Sequence, residues 1–119
     1  MRHWTGYSRN YLDRKKTLSY LGFARKAGKL VTGMGTCEIQ LKKGQVHLLL
    51  LAEDMAAGSM EKAVALARRY GVPYEVIGTS EQLSQITGTS GRYVFGVTDA
   101  HFAGVIASSI EKENESAVK

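Results

Sequence analysis

Cys37, Glu53, Asp54, His3, His47 and His101 are the side chains best suited to nucleophilic, proton-transfer or metal chemistry. Cys37 follows a glycine-rich turn near the expected start of a helix, where the dipole favours a thiolate. A nucleophile also needs a base, and none of the three histidines stands at a spacing that marks it as one. His47 falls within a strand pattern, and Asp99-Ala100-His101 reads as a helix cap with first-turn residues behind it. No His/Cys set has zinc-site spacing. Cys37 therefore reads as a small buried hydrophobe. Glu53 and Asp54 end a strand, a common place for function in α/β proteins, yet two carboxylates there can equally cap the next loop. Nothing in this set requires an enzyme, and no metal or cofactor is implied.

The stretch LVTGMGTCEIQLKKG, residues 30–44, offers a different chemistry. A strand runs into small, flexible residues and then into a helix, so backbone N–H groups are left free to meet an anion. Gly33-Met34-Gly35 sits where a dinucleotide fingerprint would, but the third glycine is replaced by Glu38, whose carboxylate repels a pyrophosphate. No GxxxxGK[ST] sequence occurs. Small side chains at Gly33–Thr36 would let another backbone approach closely. Lys29 precedes the turn, Arg25 and Lys26 lie just upstream, and Lys42 and Lys43 close the helix. A helix N-terminus flanked by cations suits a bent RNA backbone.

The charge is unevenly spread. Residues 1–45 hold ten Lys/Arg against two Asp/Glu (+8), and residues 46–119 hold six against nine (−3). A basic N-terminal half points to a polyanion, although a solvated basic face would give the same totals. Residues 1–16 interleave arginines and lysines with Trp4, Tyr7 and Tyr11, which fits an RNA-binding arm, a mobile terminus or an arm folded onto its own domain.

These groups need a scaffold. The 119 residues suffice for one domain with one core. No apolar run approaches the roughly 20 residues of a membrane span, and no long amphipathic helix offers an anchor. The N-terminus does not read as a signal peptide. The lone cysteine fits a reducing cytoplasm. Thr17 is placed as the cap of a first helix ending at Gly28, followed by strand KLVT and a helix over 35–43. VHLLLLA reads as a strand covered on both faces. A helix over 59–70 with Ala63, Leu66, Ala67 and Tyr70 on one stripe comes next, then strand YEVI. Ser80 is placed as the cap of a short helix, GTSG as a loop, RYVFGVT as the last strand, and Asp99 as the cap of the final helix. The alternation predicts an α/β/α sandwich with a four-stranded sheet. The domain is expected over 17–112, between the arm at 1–16 and a frayed polar tail at 113–119.

The blocks LSYLGFARKAGKLVTG, KKGQVHLLLLAEDM, YGVPYEVIGTSEQLSQITG and YVFGVTD, in that order, resemble the kink-turn-binding ribosomal-protein family of the L-seven-Ae and L-thirty-e types, and within it the bacterial YlxQ-like RNA-binding proteins. The resemblance covers about Leu18 to Ile110 and implies a three-layer sandwich with a mixed sheet. It also implies RNA binding through the loop and N-terminus of the second helix. Archaeal members carry Gly-Thr-Asn-Glu there, with a Lys three residues on, to read the sheared G·A pairs of a kink-turn. Without a gap, that glycine falls on Gly33 and the three polar readers on Gly35, Thr36 and Ile39, so none is kept. Matching Gly35-Thr36-Cys37-Glu38 instead recovers the Glu but shortens the helix. In the ungapped register, Gly33, Met34, Gly35 and Thr36 are expected to touch RNA mostly through backbone and van der Waals contact.

The resemblance also places Met60 against an extruded base and Thr89, Ser90, Gly91 and Arg92 over the RNA bulge, with Arg92 and Lys29 supplying charge. The expected protein is a non-catalytic, cytoplasmic RNA-binding protein. Its RNA is expected to be ribosomal, with ribosome-associated proteins as further partners, and no membrane or small-molecule substrate is expected. A protein-interaction module on the same fold and a nucleotide-binding enzyme are the alternatives.

Overall fold

The computed structural model describes residues 15–118, with side chains to residue 115. Except for Lys15 and Lys16, the basic aromatic arm lies outside the described residues. The elements are α1 (Lys15–Lys26), β1 (Leu30–Thr32), α2 (Met34–Lys42), β2 (Leu48–Leu51), α3 (Ala57–Arg69), β3 (Tyr74–Val76), α4 (Ser80–Thr87), β4 (Val94–Val97) and α5 (Ala100–Val118). They form the three-layer α/β/α sandwich with a mixed four-stranded sheet that the alternation predicts.

The sheet order is β1-β4-β2-β3. Strand β4 runs antiparallel to both neighbours, pairing Leu30 and Leu48 with Val97. Strand β3 is parallel to β2, with Leu49 beside Tyr74. Thus β1, β2 and β3 all point one way. The four leucines of β2 are all buried, and their alternation feeds both layers. Leu48 and Leu50 join Leu21 of α1, Leu83 of α4 and Ile106 of α5 on one side. Leu49 and Leu51 join Cys37 and Leu41 of α2 and Leu66 of α3 on the other. Each of these leucines contributes about 1.5–3 kcal/mol by burial. Gly96 lets α2 lie close to the sheet, since a Cβ there would stand 3.2 Å from Val31 Cγ2 and 3.4 Å from Cys37 Sγ.

Most boundaries shift by one or two residues, the last strand beginning at Val94 and not at Arg92, and two caps and the C-terminal tail differ from the sequence reading. Thr17 is not a cap: it is fully buried inside α1, and its Oγ1 donates to Glu113 Oε1 at 2.6 Å and meets Ser109 Oγ at 2.8 Å. Its hydroxyl answers to α5, a long-range partner that no local pattern encodes. For the same reason the polar residues 113–118 are not frayed: they continue α5 to Val118, with Glu113 tied back to α1. Thr79, not Ser80, caps α4. Thr79 Oγ1 accepts from Gln82 N–H at 3.1 Å, and Gln82 Oε1 accepts from Thr79 N–H at 2.9 Å, a reciprocal capping box. Asp99 does cap α5, accepting from Phe102 N–H at 2.9 Å.

Candidate nucleic-acid interface

Because β1 and β2 are parallel, the helices that follow them, α2 and α3, both begin at the same end of the sheet. Neither start has a side-chain cap, and neither first turn carries an acid. In α2, Cys37 N–H reaches back to Gly33 O at 3.0 Å, and in α3, Met60 N–H reaches Ala56 O at 2.9 Å. The three N–H groups before each of these have no partner in their own helix. Two uncapped, positively polarised helix ends therefore stand side by side. Helix α4 is built oppositely, with its capping box and Glu81 in its first turn.

A groove of about 540 Å³ opens between these ends. Its walls are Gly33 at the N-cap of α2 and Met34 in its first turn, Asp54–Ala56 from the β2–α3 loop, Ser59 from α3, Gly91–Tyr93 from the α4–β4 loop and Val94 of β4. Gly33 holds φ +93°, a conformation that side chains rarely adopt. Its N–H donates to Val94 O at 2.8 Å, which joins the α2 turn to the opposite wall. A Cβ on Gly33 would stand 2.9 Å from Arg92 Nη1, so the guanidinium lies in space only a glycine leaves open. Ser84 anchors the backbone of Arg92, accepting from its N–H at 3.4 Å. Cβ atoms built on Gly35 or Gly58 meet nothing within 4 Å, so the approach to both helix ends is open.

The charge of this end is not what the totals suggest. The four connections that form it, residues 33–36, 52–60, 77–81 and 88–93, carry Glu53, Asp54 and Glu81 against Arg92 alone. Asp54 braces the start of α4, where its carboxylate accepts from Ser80 N–H at 2.8 Å and Ser80 Oγ at 2.7 Å. The hydroxyl bond from Ser80, aided by the N–H, holds its pKa below the ordinary carboxylate value. Cys37 lies under the α2 turn, 1% exposed, and burial pushes its thiol up to about 12. Burial outweighs the helix dipole there, so Cys37 is the inert hydrophobe of the sequence reading and not a nucleophile.

The groove brings together Gly33, Met34, Gly91 and Arg92, and Gly35 and Thr36 stand on the turn beside it. Three expected residues or groups stand elsewhere. Lys29 is at the opposite end of β1, where its carbonyl accepts from Thr98 N–H at 2.9 Å. The first strand crosses the sheet between Lys29 and Gly33, so sequence proximity misleads there. Thr89 and Ser90 face α4 with Ser80 and Gln85, and Thr89 N–H is tied to Ser84 O at 2.9 Å. Met60 is half-buried against the α2–α3 core, and Met55 is the methionine of that region that lines the groove. Met55, Ser59 and Tyr93 carry no sequence signal of their own; the position after a parallel strand, noted for Glu53 and Asp54, was the available hint.

This sandwich, with an open groove at the start of its second helix, defines a class. The family model described as "Ribosomal protein L7Ae/L30e/S12e/Gadd45 family" matches residues 15–107, and the chain belongs to that family. It is 30% identical over 91 residues to the RNA-binding protein YlxQ of Bacillus subtilis (strain 168), covering 76% of this chain and 91% of the relative. It is 27% identical over 99 residues to RNA-binding protein YlxQ of Enterococcus faecium, covering 83% and 95%. Among solved structures, a protein with unknown function from Bacillus halodurans C superposes with a TM-score of 0.78 at 33% identity, covering 81% of this chain and 97% of that one. The Giardia lamblia 15.5kD RNA binding protein shares the fold, with a TM-score of 0.66 at 20% identity over 82% and 84% of the chains.

Proposed function

We propose that this protein is a non-catalytic RNA-binding protein of the cytoplasm that docks a sharply bent RNA, of kink-turn type and ribosomal origin, in the groove at the start of α2. The observation that carries this reading is the pairing of two uncapped helix N-termini with Arg92 across one open groove. Free amides and a forked guanidinium both bind phosphate oxygens, and they do so by position rather than by base. The half-buried methionines Met34 and Met55 offer an apolar wall for an unstacked base. RNA binding is also what the names of the YlxQ relatives state. With Gly35, Thr36 and Ile39 where the archaeal readers stand, recognition here is of backbone shape, with base-edge reading reduced.

The test is a titration of wild type and Arg92→Ala against a kink-turn RNA and a straight duplex of equal length, at low and physiological salt. The proposal expects wild type to prefer the kink-turn at both salts. It expects Arg92→Ala to lose about 1.5–3 kcal/mol of that binding, the range for a hydrogen bond to a charged group. Absence of any preference for the kink-turn would sink it. The excess of carboxylates around the groove favours one second reading, a protein-interaction surface, which predicts a stable protein complex that survives nuclease.

A further inference from the structure

We propose that the opposite end of the sheet is a second RNA-docking surface, which grips the phosphate backbone of a straight double helix without reading its sequence. It extends the RNA reading of the groove and does not rest on kink-turn specificity.

Three helices stop at this end by the same local device. Arg25-Lys26 precede Gly28, Lys42-Lys43 precede Gly44, and Arg68-Arg69 precede Gly71. The three glycines take φ values of +73°, +71° and +67°. Each thus turns the chain in the left-handed conformation that ends a helix, directly after a basic pair at Gly44 and one residue beyond it at Gly28 and Gly71. A cation at a helix C-terminus answers the macrodipole, and that alone accounts for each pair locally. The topology does the rest. Parallel β1, β2 and β3 require that α1, α2 and α3 all end at one pole, so the basic pairs converge. Lys29 stands there too, bonded through its carbonyl to Thr98, and His47 stands beside it with its N–H on Val97 O at 2.8 Å.

The connections that form this pole are residues 26–29, 42–47, 68–73 and 98–101. They carry six Lys/Arg, all exposed, against Asp99, whose carboxylate is occupied at the start of α5; Lys42 also meets Glu38 one turn back in α2 at 3.9 Å. The guanidinium of Arg69 is held over the Tyr70 ring, 5.6 Å from its centroid. Adjacent packed helices lie about 8–10 Å apart, so the pairs ending α2 and α3 form a broad basic face rather than a point.

The chemistry selects the partner. A protein interface is apolar at its centre, whereas a nucleic-acid interface is polar and positively charged. Among the described residues, the large exposed apolar side chains are Phe23, Ile39, Val76, Ile86 and Tyr93, and none lies in these four connections. There is accordingly nothing here to fill a hydrophobic pocket or to enter a bilayer. Dispersed, exposed lysines and arginines suit a regular array of phosphates, read through charge.

The experiment titrates the full chain with a straight RNA duplex between about 50 and 200 mM salt. Lys42→Glu/Lys43→Glu and Arg68→Glu/Arg69→Glu double variants are compared with Arg92→Ala, and phosphatidylserine vesicles serve as a second probe. The inference expects each double variant to weaken duplex binding at least about tenfold at low salt and to flatten its salt slope. It expects Arg92→Ala to leave duplex binding unchanged. Duplex binding that survives in both double variants overturns it, as does tighter binding to the vesicles than to the duplex. Loss of duplex binding in Arg92→Ala equal to that in the double variants overturns it too, since one surface would then serve both RNAs. If the double variants lose the duplex while wild type shows no kink-turn preference, this inference stands and the groove proposal fails.

Discussion

The two poles of the sheet carry opposite solutions to the same problem, the unsatisfied ends of helices. At one pole the ends of α1, α2 and α3 are closed with left-handed glycines and basic pairs, which answer the dipole. At the other the starts of α2 and α3 are left without cap or acid, and their amides stay available. The closed pole is strongly positive, whereas the open pole has three carboxylates and one arginine in its connections. Net charge and donor geometry are therefore separated in this protein. On the two proposals, a polyanion would be attracted to one end and a shaped backbone held at the other.

Substituting glycine at the two poles gives the largest expected contrast. Gly33→Ala meets both a strained φ and the Arg92 guanidinium, and should cost about 1–3 kcal/mol in chemical denaturation while also displacing Arg92. Gly44→Ala has a similar φ but open space around it, so it should cost about 1 kcal/mol and leave groove binding untouched. Equal effects on RNA binding from the two would erase the distinction.

Cys37 tests whether the polarised start of α2 governs what lies beneath it. With its thiol raised to about 12 by burial, the native protein should resist alkylation at pH 8 and react once unfolded. The folded state holds this proton more tightly, so its contribution is complete below the unfolded value near 9. It is lost as pH rises towards 12, at up to about 1.4 kcal/mol per pH unit. The alkaline limb of a stability curve should be shallower in Cys37→Ala, whose lower overall stability does not alter that slope comparison.

Gly35→Ala is a smaller change with a sharper reading. Its Cβ meets nothing within 4 Å, so thermal stability should hold or rise slightly. If the groove proposal holds, kink-turn affinity should still fall several-fold, because the methyl would stand where the proposed RNA backbone approaches. The smallest effect belongs to Asp54→Asn. The depressed pKa of Asp54 means its support of Ser80 is present above the ordinary carboxylate value and fades as pH falls through the folded one. Melting temperatures of variant and wild type should differ modestly at pH 7 and converge once the pH has fallen far enough to protonate Asp54 in the folded state.

The layers of this fold were legible because each rests on a local pattern. The unbroken leucines of β2 mark a strand covered on both sides, and Leu18, Leu21 and Ala24 mark the buried stripe of α1. The turn at Gly33–Thr36 was legible for the same reason, as a strand meeting small residues. What the chain order hid were the partnerships across it. Thr17 has the residue type of a cap but bonds α5, 96 positions away. Lys29 is four residues from Gly33 yet stands at the other pole, and Arg92, far along the chain, fills the space over that glycine. Two of the basic pairs belong to the N-terminal half of the sequence, and strand direction gathers Arg68-Arg69 with them at one end.

The most direct test is residue-resolved amide mapping by NMR on adding a kink-turn RNA at physiological salt. The account predicts the largest shifts at Gly33, Gly35, Thr36, Gly58, Gly91 and Arg92, with smaller, salt-sensitive shifts at Lys42–Gly44 and Arg68–Gly71. Shifts confined to the basic pole, with the groove amides unmoved, would contradict it.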